Sequence, residues 1–580
     1  ISVNVSDDAV IRNIAERTGD TNAVYPTVVV SDKNMANTGE QQFVNPTTGE
    51  KISQTFQYSD TTSTVVINAE ITGDVVKISA IDRESGTSQD GGNTSLDITG
   101  GTVTGNVINQ TKEGDVGISG SSITGNVTNA SKGEVVISNN SKIDGTVSNT
   151  GVDGEKGSVA ILDSAVGTVT DNQDIVLVNT TVGGNTEPTT NTEGKVAMIG
   201  AKTYETLEKA IEEAQDGDTI TLLKSFTVNT EQNSAGSGAY NISGKTLTID
   251  GNNYTITAGT GFDTNDAGTR GEYHIFNITD GANVTIRDLT IDGKSTTEEN
   301  SVPRSGINVY ANDGATSPTA TLINVEIKNC STYGVTVADA AVEATDLKTS
   351  GNSWGGVNVD PRNNEGKASF MLNGENSRLE DTSNGIKIDN TYSASNSEAA
   401  NVIVNDGYVS SITEDSNNNA SSTAITVNGG SFGESVAEYV KGDLKYEANA
   451  NGTYTYYDTL DEALDSGGEV KSIQAAKPGA TAYTVKIING SNTVEYQLAS
   501  GESVTLEKLT DQGYNHFVGW TDQAGKHYDG GDTVTITADT TFTAQWSYVP
   551  PPTPTTRSPS VPWRTAPSPP TPLPPRPGPR

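Results

Sequence analysis

The chain has 580 residues, of which only 33% are hydrophobic, so it is long enough for several domains yet would fill one compact globule poorly. Its formal net charge of −37 argues against nucleic acid and anionic membrane surfaces as partners, since both would repel it, and suits an exported surface kept soluble by like charge. A single cysteine, Cys330, excludes an internal disulfide and the paired-cysteine metal motifs, and no apolar run reaches the length of a membrane span, so no membrane insertion is expected.

Residues 1–60 read as an N-terminal cap or a truncated segment, with a short helix over 8–17 and a strand over 27–30. The chain opens at Ile1 without an initiator Met, as a processed or excerpted product would.

From 61 to 200 the pattern is strand, turn, strand. Three stretches nearly restate one another: ITGGTVTGNVIN from Ile98, ISGSSITGNVTN from Ile118 and ISNNSKIDGTVSN from Ile137. A period of about 20 residues is the signature of a solenoid, whose coils stack and do not fold singly. The segments 64–67, 74–78, 135–137, 159–162 and 175–178 are short β-rich runs between Gly, Asn, Asp and Ser, which tolerate corner conformations. Gly105, Gly125 and Gly145 recur in step, as do Asn109, Asn129 and Asn149, so an amide ladder is expected along one corner. A solenoid also accommodates the low apolar content, because its core is a thin column fed by two or three inward residues per strand.

At 203–215 the pattern changes. Tyr204, Leu207, Ala210, Ile211 and Ala214 form one apolar stripe of a helix, and a tight turn and strand follow at 216–223. Such a helix serves as a lid on the open end of a β-column. The run TYETLEKAIEEAQDGDTITLL, with LTIDG at 247–251 and VTIRDLTIDG at 284–293, resembles the pectin-lyase-like right-handed parallel β-helix. More narrowly it is similar to adhesin-type members on the surfaces of gut-dwelling Gram-positive bacteria. The resemblance implies an all-β solenoid over 201–440, extended by pattern to 61–200. It also implies an extracellular location on the bacterial cell surface or cell wall, and host or microbial glycans or surface proteins as partners. At roughly 4.8 Å per coil, about sixteen coils in these two segments would make a rod of roughly 75 Å.

Within that region Gly306-Ile-Asn-Val309, Gly334-Val-Thr-Val337, Gly356-Val-Asn-Val359 and Gly385-Ile-Lys-Ile388 are four versions of one strand. Their aliphatic residues point one way, and Asn308, Thr336, Asn358 and Lys387 the other. Residues 441–477 form a closing junction, with a capping box from Thr459 to Glu462. Residues 478–546 read as a separate module with a hairpin around Asn489-Gly490. Their FVGW and FTAQW segments are similar to the Listeria–Bacteroides repeat, which places Trp520 and Trp546 in its core. From Tyr548 onward come 14 of the 21 prolines, and the tail at 547–580 is expected to be extended and disordered.

Enzymes occur among pectin-lyase-like folds, so chemistry has to be weighed. The clustered acid, histidine and basic motifs that the resemblance implies for galacturonan hydrolysis do not stand here. His274 lies in an apolar strand and reads as structural. The testable acid pair is Asp360 and Asp389, each directly after one of the repeated strands. On adjacent coils their carboxylates would approach the ~5 Å of a retaining glycosidase, though Asp after a strand is also a common turn former. Tyr333 and Trp354 precede the same strands and are candidates, with Asn358 and Lys387, for a sugar or protein contact; packing on the column is the alternative. No cofactor is assigned. Calcium stays open, since acids are plentiful but no EF-hand loop or Gly-rich nonapeptide series occurs. The sequence favours a non-catalytic adhesin or stalk, with a polysaccharide lyase or glycoside hydrolase and a purely structural spacer as the alternatives.

Overall fold

The computed structural model describes residues 63–79, 94–111, 113–152, 154–170, 175–187, 192–230, 238–262, 274–293, 302–312, 314–362, 367–389, 399–415 and 422–551, with strand segments at 2–5, 10–12, 28–32, 39–44 and 51–56. The proline-rich segment from 552 onward lies outside the described residues. The protein is all-β with extensive parallel sheets, and its three described helices are short. It divides into Ile1–Gly468 and Glu469–Arg580.

In the first unit the repeat period becomes strand register. Ile98 pairs with Ile118, and Ile118 with Ile137, in parallel. Val107, Val127 and Val147 stack likewise, and so do Asn109, Asn129 and Asn149. Inward Leu96, Ile98, Val103, Ile118, Ile123 and Ile137 are fully buried and make one apolar column. The asparagines are also buried. Asn109 Nδ2 donates to Asn129 Oδ1 at 3.1 Å and Asn129 Nδ2 to Asn149 Oδ1 at 3.3 Å. Each amide also donates to a carbonyl of its own coil, that of Gly114, Gly133 or Gly157. Gly125 is required by close approach, since a Cβ there would lie 2.4 Å from the Gly105 carbonyl oxygen of the neighbouring coil.

Residues 2–32 supply strands to the same stack: Ser2–Val5, Val10–Arg12 and Val28–Asp32 pair in parallel with strands of residues 64–79. Val10–Arg12 is therefore a strand where the helix over 8–17 is expected, and the rest of that stretch lies outside the described residues. An available sheet edge outweighs the weak helical preference of so short a segment.

A second stack begins at Ala197–Ile199, which pairs antiparallel with both Lys202–Tyr204 and Thr219–Leu222. The helix is Leu207–Glu213, shorter than the stripe suggests because Tyr204 belongs to a strand. Thr206 caps its start, and Lys245 Nζ donates to the carbonyls of Ile211, Glu212 and Ala214 at its end. Seven strands then make one parallel sheet: Tyr240–Ser243, Phe276–Thr279, Ile307–Tyr310, Tyr333–Ala338, Gly355–Asp360, Ile386–Ile388 and Ile412–Glu414. At the far end the antiparallel hairpin Tyr446–Ala450 and Thr453–Tyr457 closes the stack. Thr459 then caps the helix Leu460–Asp465, accepting from the Glu462 amide as the capping-box motif requires.

The two segments expected over 61–200 and 201–440 form separate stacks. Among the described residues no strand pairing joins the two stacks. Instead, outward-facing Ala160, Leu162, Val176 and Val178 of the first bury against Met198, Ala201 and Leu223 of the second. A Glu134 carboxylate oxygen accepts from the Ala201 amide at the same junction.

In Glu469–Arg580 the expected hairpin forms between Ala482–Asn489 and Asn492–Ala499, turning through Gly490 and Ser491. Asn515–Asp522 pairs antiparallel with Thr540–Tyr548, placing Phe517 opposite Trp546. Trp520 is buried and donates Nε1–H to the Glu507 carbonyl, whereas Trp546 is only half-buried and donates to Asn489 Oδ1.

Candidate functional site

The four repeated strands are immediate neighbours. Ile307, Val335, Val357 and Ile386 lie in one register row, and Val309, Val337, Val359 and Ile388 in another; all eight are buried. Between them runs the outward polar row Asn308, Thr336, Asn358 and Lys387, extended backwards by Asn277 and Asn241 and forwards by Thr413. Asp389 N donates to the Val359 carbonyl and Asp415 N to that of Ile388. Asp360, Asp389 and Asp415 thus stand one above another on three successive coils, ~4.8 Å apart by strand spacing.

Ser353, Trp354, Ser383 and Asn384, just before two of these strands, line a cleft of about 360 Å³ together with Tyr333 and Lys387 of the strands themselves. Trp354 is 50% exposed and meets Tyr333 edge-on, with ring centroids 5.9 Å apart. Its backbone is held from both sides: its amide donates to the Thr332 carbonyl, and its carbonyl accepts from Asn384 Nδ2 at 2.7 Å. Gly355 follows at φ +149°, where a Cβ would stand 2.6 Å from the Asn384 carbonyl oxygen. The fold therefore fixes the backbone that carries the indole and leaves the ring half in solvent against the Tyr333 ring.

Electrostatics tie the cleft to the acid row. Lys387 Nζ lies 3.0 Å from Asp415 Oδ2. Burial pushes the Tyr333 hydroxyl well above its ordinary value, and Asp389, Asp360 and Asp415 add to the shift. Asp360 is 1% exposed, and burial drives its carboxyl up to about 7, against the pull of Arg362 and with help from Asp389 and Asp339. Arg362 Nε donates to Asp360 Oδ2, while Asp360 Oδ1 finds no hydrogen-bond partner among the described residues.

Of the six residues singled out from sequence, Tyr333, Trp354 and Lys387 share the cleft. Asn358 does not line it; it is 3% exposed, between Thr336 and Lys387 in the polar row. Asp360 and Asp389 are on adjacent strands, but Asp360 is buried and bonded to arginine, so it is closed to a substrate in this conformation. Ser383 was legible by carrying the offset of Trp354 through the step from Gly356 to Gly385, whereas Asn384 falls one position beyond that offset and was missed. Asp415 was hidden because its strand lacks the glycine that marks the others. His274 is buried and neutral, pushed down to about 3 by burial, and its Nδ1 finds no partner among the described residues. Among the described residues no group of three or more acidic, histidine or cysteine side chains is placed to hold a metal. Comparison of the chain with protein-family models, with curated proteins and with solved structures gives no match.

Proposed function

We propose that this protein is a non-catalytic adhesin or stalk of a bacterial cell surface, built on two right-handed parallel β-helices of the pectin-lyase-like type. A terminal module similar to the Listeria–Bacteroides repeat follows them. Strand returns at about 20-residue intervals, parallel register and stacked amides support the β-helix reading. One observation carries the functional part. Among the described residues of Ile1–Gly468, Trp354 is the one large aromatic left exposed, and it sits in a cleft with hydroxyl and amide side chains. An exposed indole beside polar groups is the usual composition of a surface that stacks on a sugar ring. Glycans are therefore the favoured partner class. A glycan array probed with the full chain tests this: binding lost in Trp354→Ala supports it, binding indifferent to that change puts the glycan site outside this cleft, and no binding leaves only the spacer role.

A second reading, glycoside hydrolysis, is favoured by one feature: Asp360, raised to about 7, beside Asp389 on the next strand. Its burial and its bond to Arg362 weigh against access. Release of reducing ends from a polysaccharide panel, abolished by Asp360→Asn, would establish that reading over the adhesin.

A further inference from the structure

The Trp354 cleft is more specific in charge than in shape. We propose that it recognises an uncharged saccharide, one or two pyranose rings long, and discriminates against uronates, sialylated and sulfated sugars. This rests on the glycan reading above and deepens it.

The size follows from the cleft. About 360 Å³ is at the small end of ligand pockets, which run from ~300 to ~1,000 Å³. With one exposed indole there is one stacking platform, so a single ring is gripped and its neighbour reaches at most the rim. Tyr333 is 5% exposed and meets Trp354 in a T-shaped contact, so it supports the platform instead of adding a second.

The charge selectivity follows from the groups around it. Lys387 is the only cation in the lining, and Asp415 already holds it at 3.0 Å. Asp360 and Asp389 act electrostatically on Tyr333, and Asp339 on Asp360, while Arg362 is engaged by Asp360 through its side chain and by Asp339 through its backbone amide. Asp339, Asp389 and Asp415, joined by Asp360 only where it is ionised, outnumber the two cations and leave an excess of negative potential. An anionic ligand would have to share Lys387 with Asp415 inside that field. The acidity of the whole chain adds long-range repulsion, which salt would screen. Ser353, Ser383 and Asn384, by contrast, offer the neutral donors and acceptors that sugar hydroxyls satisfy. Asn384 and Ser383 are themselves oriented, donating to the carbonyls of Trp354 and Ser353 at 2.7 and 2.9 Å; Asn384 Oδ1 also accepts from the Thr413 hydroxyl at 2.6 Å, so the Ser383 hydroxyl oxygen is the acceptor turned to a ligand.

The test is calorimetric titration of the full chain with matched probes. Neutral probes are methyl galactoside, cellobiose and chitobiose; anionic probes are digalacturonate and sialyllactose. The expected result is binding of at least one neutral probe, with little change between low and high NaCl. Trp354→Ala should weaken it about tenfold or more, and Trp354→Phe should restore part of the loss. An unchanged far-UV spectrum would show that both variants fold. Tighter binding of an anionic probe, weakened by salt, would overturn the charge assignment and leave the glycan reading intact. Binding of no saccharide, in arrays or by titration, would overturn both. Neutral binding indifferent to both Trp354 changes would remove the site from this cleft.

Discussion

Replacing Asn129 by alanine should cost far more than replacing Asn126, three residues away on the same coil. Asn129 is 1% exposed, accepts from Asn109 at 3.1 Å, and donates to the Gly133 carbonyl at 3.0 Å and to Asn149 Oδ1 at 3.3 Å. Asn129→Ala would strand three buried groups, the Gly133 carbonyl, the Asn149 side-chain oxygen and one Asn109 side-chain N–H, at ~1–3 kcal/mol each, roughly 4–6 kcal/mol together. Asn126 is exposed; its Oδ1 accepts from the Thr146 amide at 2.8 Å, and water can take that place, so Asn126→Ala should cost about 0.5–1 kcal/mol. Stacked coils need not unfold all at once, which makes a single melting temperature a poor readout. Native-state hydrogen exchange of the amides near Gly133 and Thr150 reports the local opening free energy directly. Equal effects of the two changes, within about 0.5 kcal/mol, would refute the idea that buried amide ladders stabilise this fold more than exposed ones.

Three further outcomes are expected. Because folding raises the Asp360 pKa, its contribution to stability is complete below about pH 4 and is lost as pH rises through about 7, by at most ~4 kcal/mol; denaturant titrations of Asp360→Asn should show a flatter pH dependence across that window. Val178→Asp places a charge among Ala160, Leu162, Met198 and Leu223, so the two stacks should separate and melt in distinct calorimetric transitions. Lys245→Met removes three donations to the end of the Leu207–Glu213 helix and should destabilise that helix by ~1–2 kcal/mol, read as faster exchange of the Ala210 and Ala214 amides.

The legible parts of this fold are those where translation repeats chemistry. Gly105, Gly125 and Gly145 are legible because a carbonyl of the neighbouring coil occupies the space of a side chain at each. Gly306, Gly334, Gly356 and Gly385 mark neighbouring strands although their spacing varies, since loops lengthen without disturbing the register between them. The junction between the stacks was harder. Its signal was present in 159–162 and 175–178, where apolar residues run without alternation, as in strands buried on both faces. Read alone, such a run does not reveal what covers its second face. Burial of Asp360 was not legible either, because an aspartate after a strand looks the same whether solvent or Arg362 meets it.

The polar row outside the second stack shows why the cleft lies where it does. From Asn241 through Asn277 to Asn308 each amide donates to the one before it, at 3.0 and 2.8 Å, and the row is self-satisfying. At the next coil Thr336 replaces asparagine and turns to Ser305, at 2.8 Å. One coil further, Asn358 resumes the row, but its Oδ1 has no hydrogen-bond partner among the described residues. Then Lys387 replaces the amide and pairs with Asp415. A self-satisfying ladder needs nothing from outside and offers nothing to a ligand. A broken one leaves buried polar atoms at a cost of ~1–3 kcal/mol each, which a stability argument alone does not explain. The break coincides with the coils that hold Trp354 in solvent. Local departures from a fold's own rule are where function is to be sought. Restoring the ladder with Thr336→Asn and Lys387→Asn together should therefore stabilise these coils while reducing saccharide binding, and a double variant that gained stability at unchanged affinity would dissociate the break from the site.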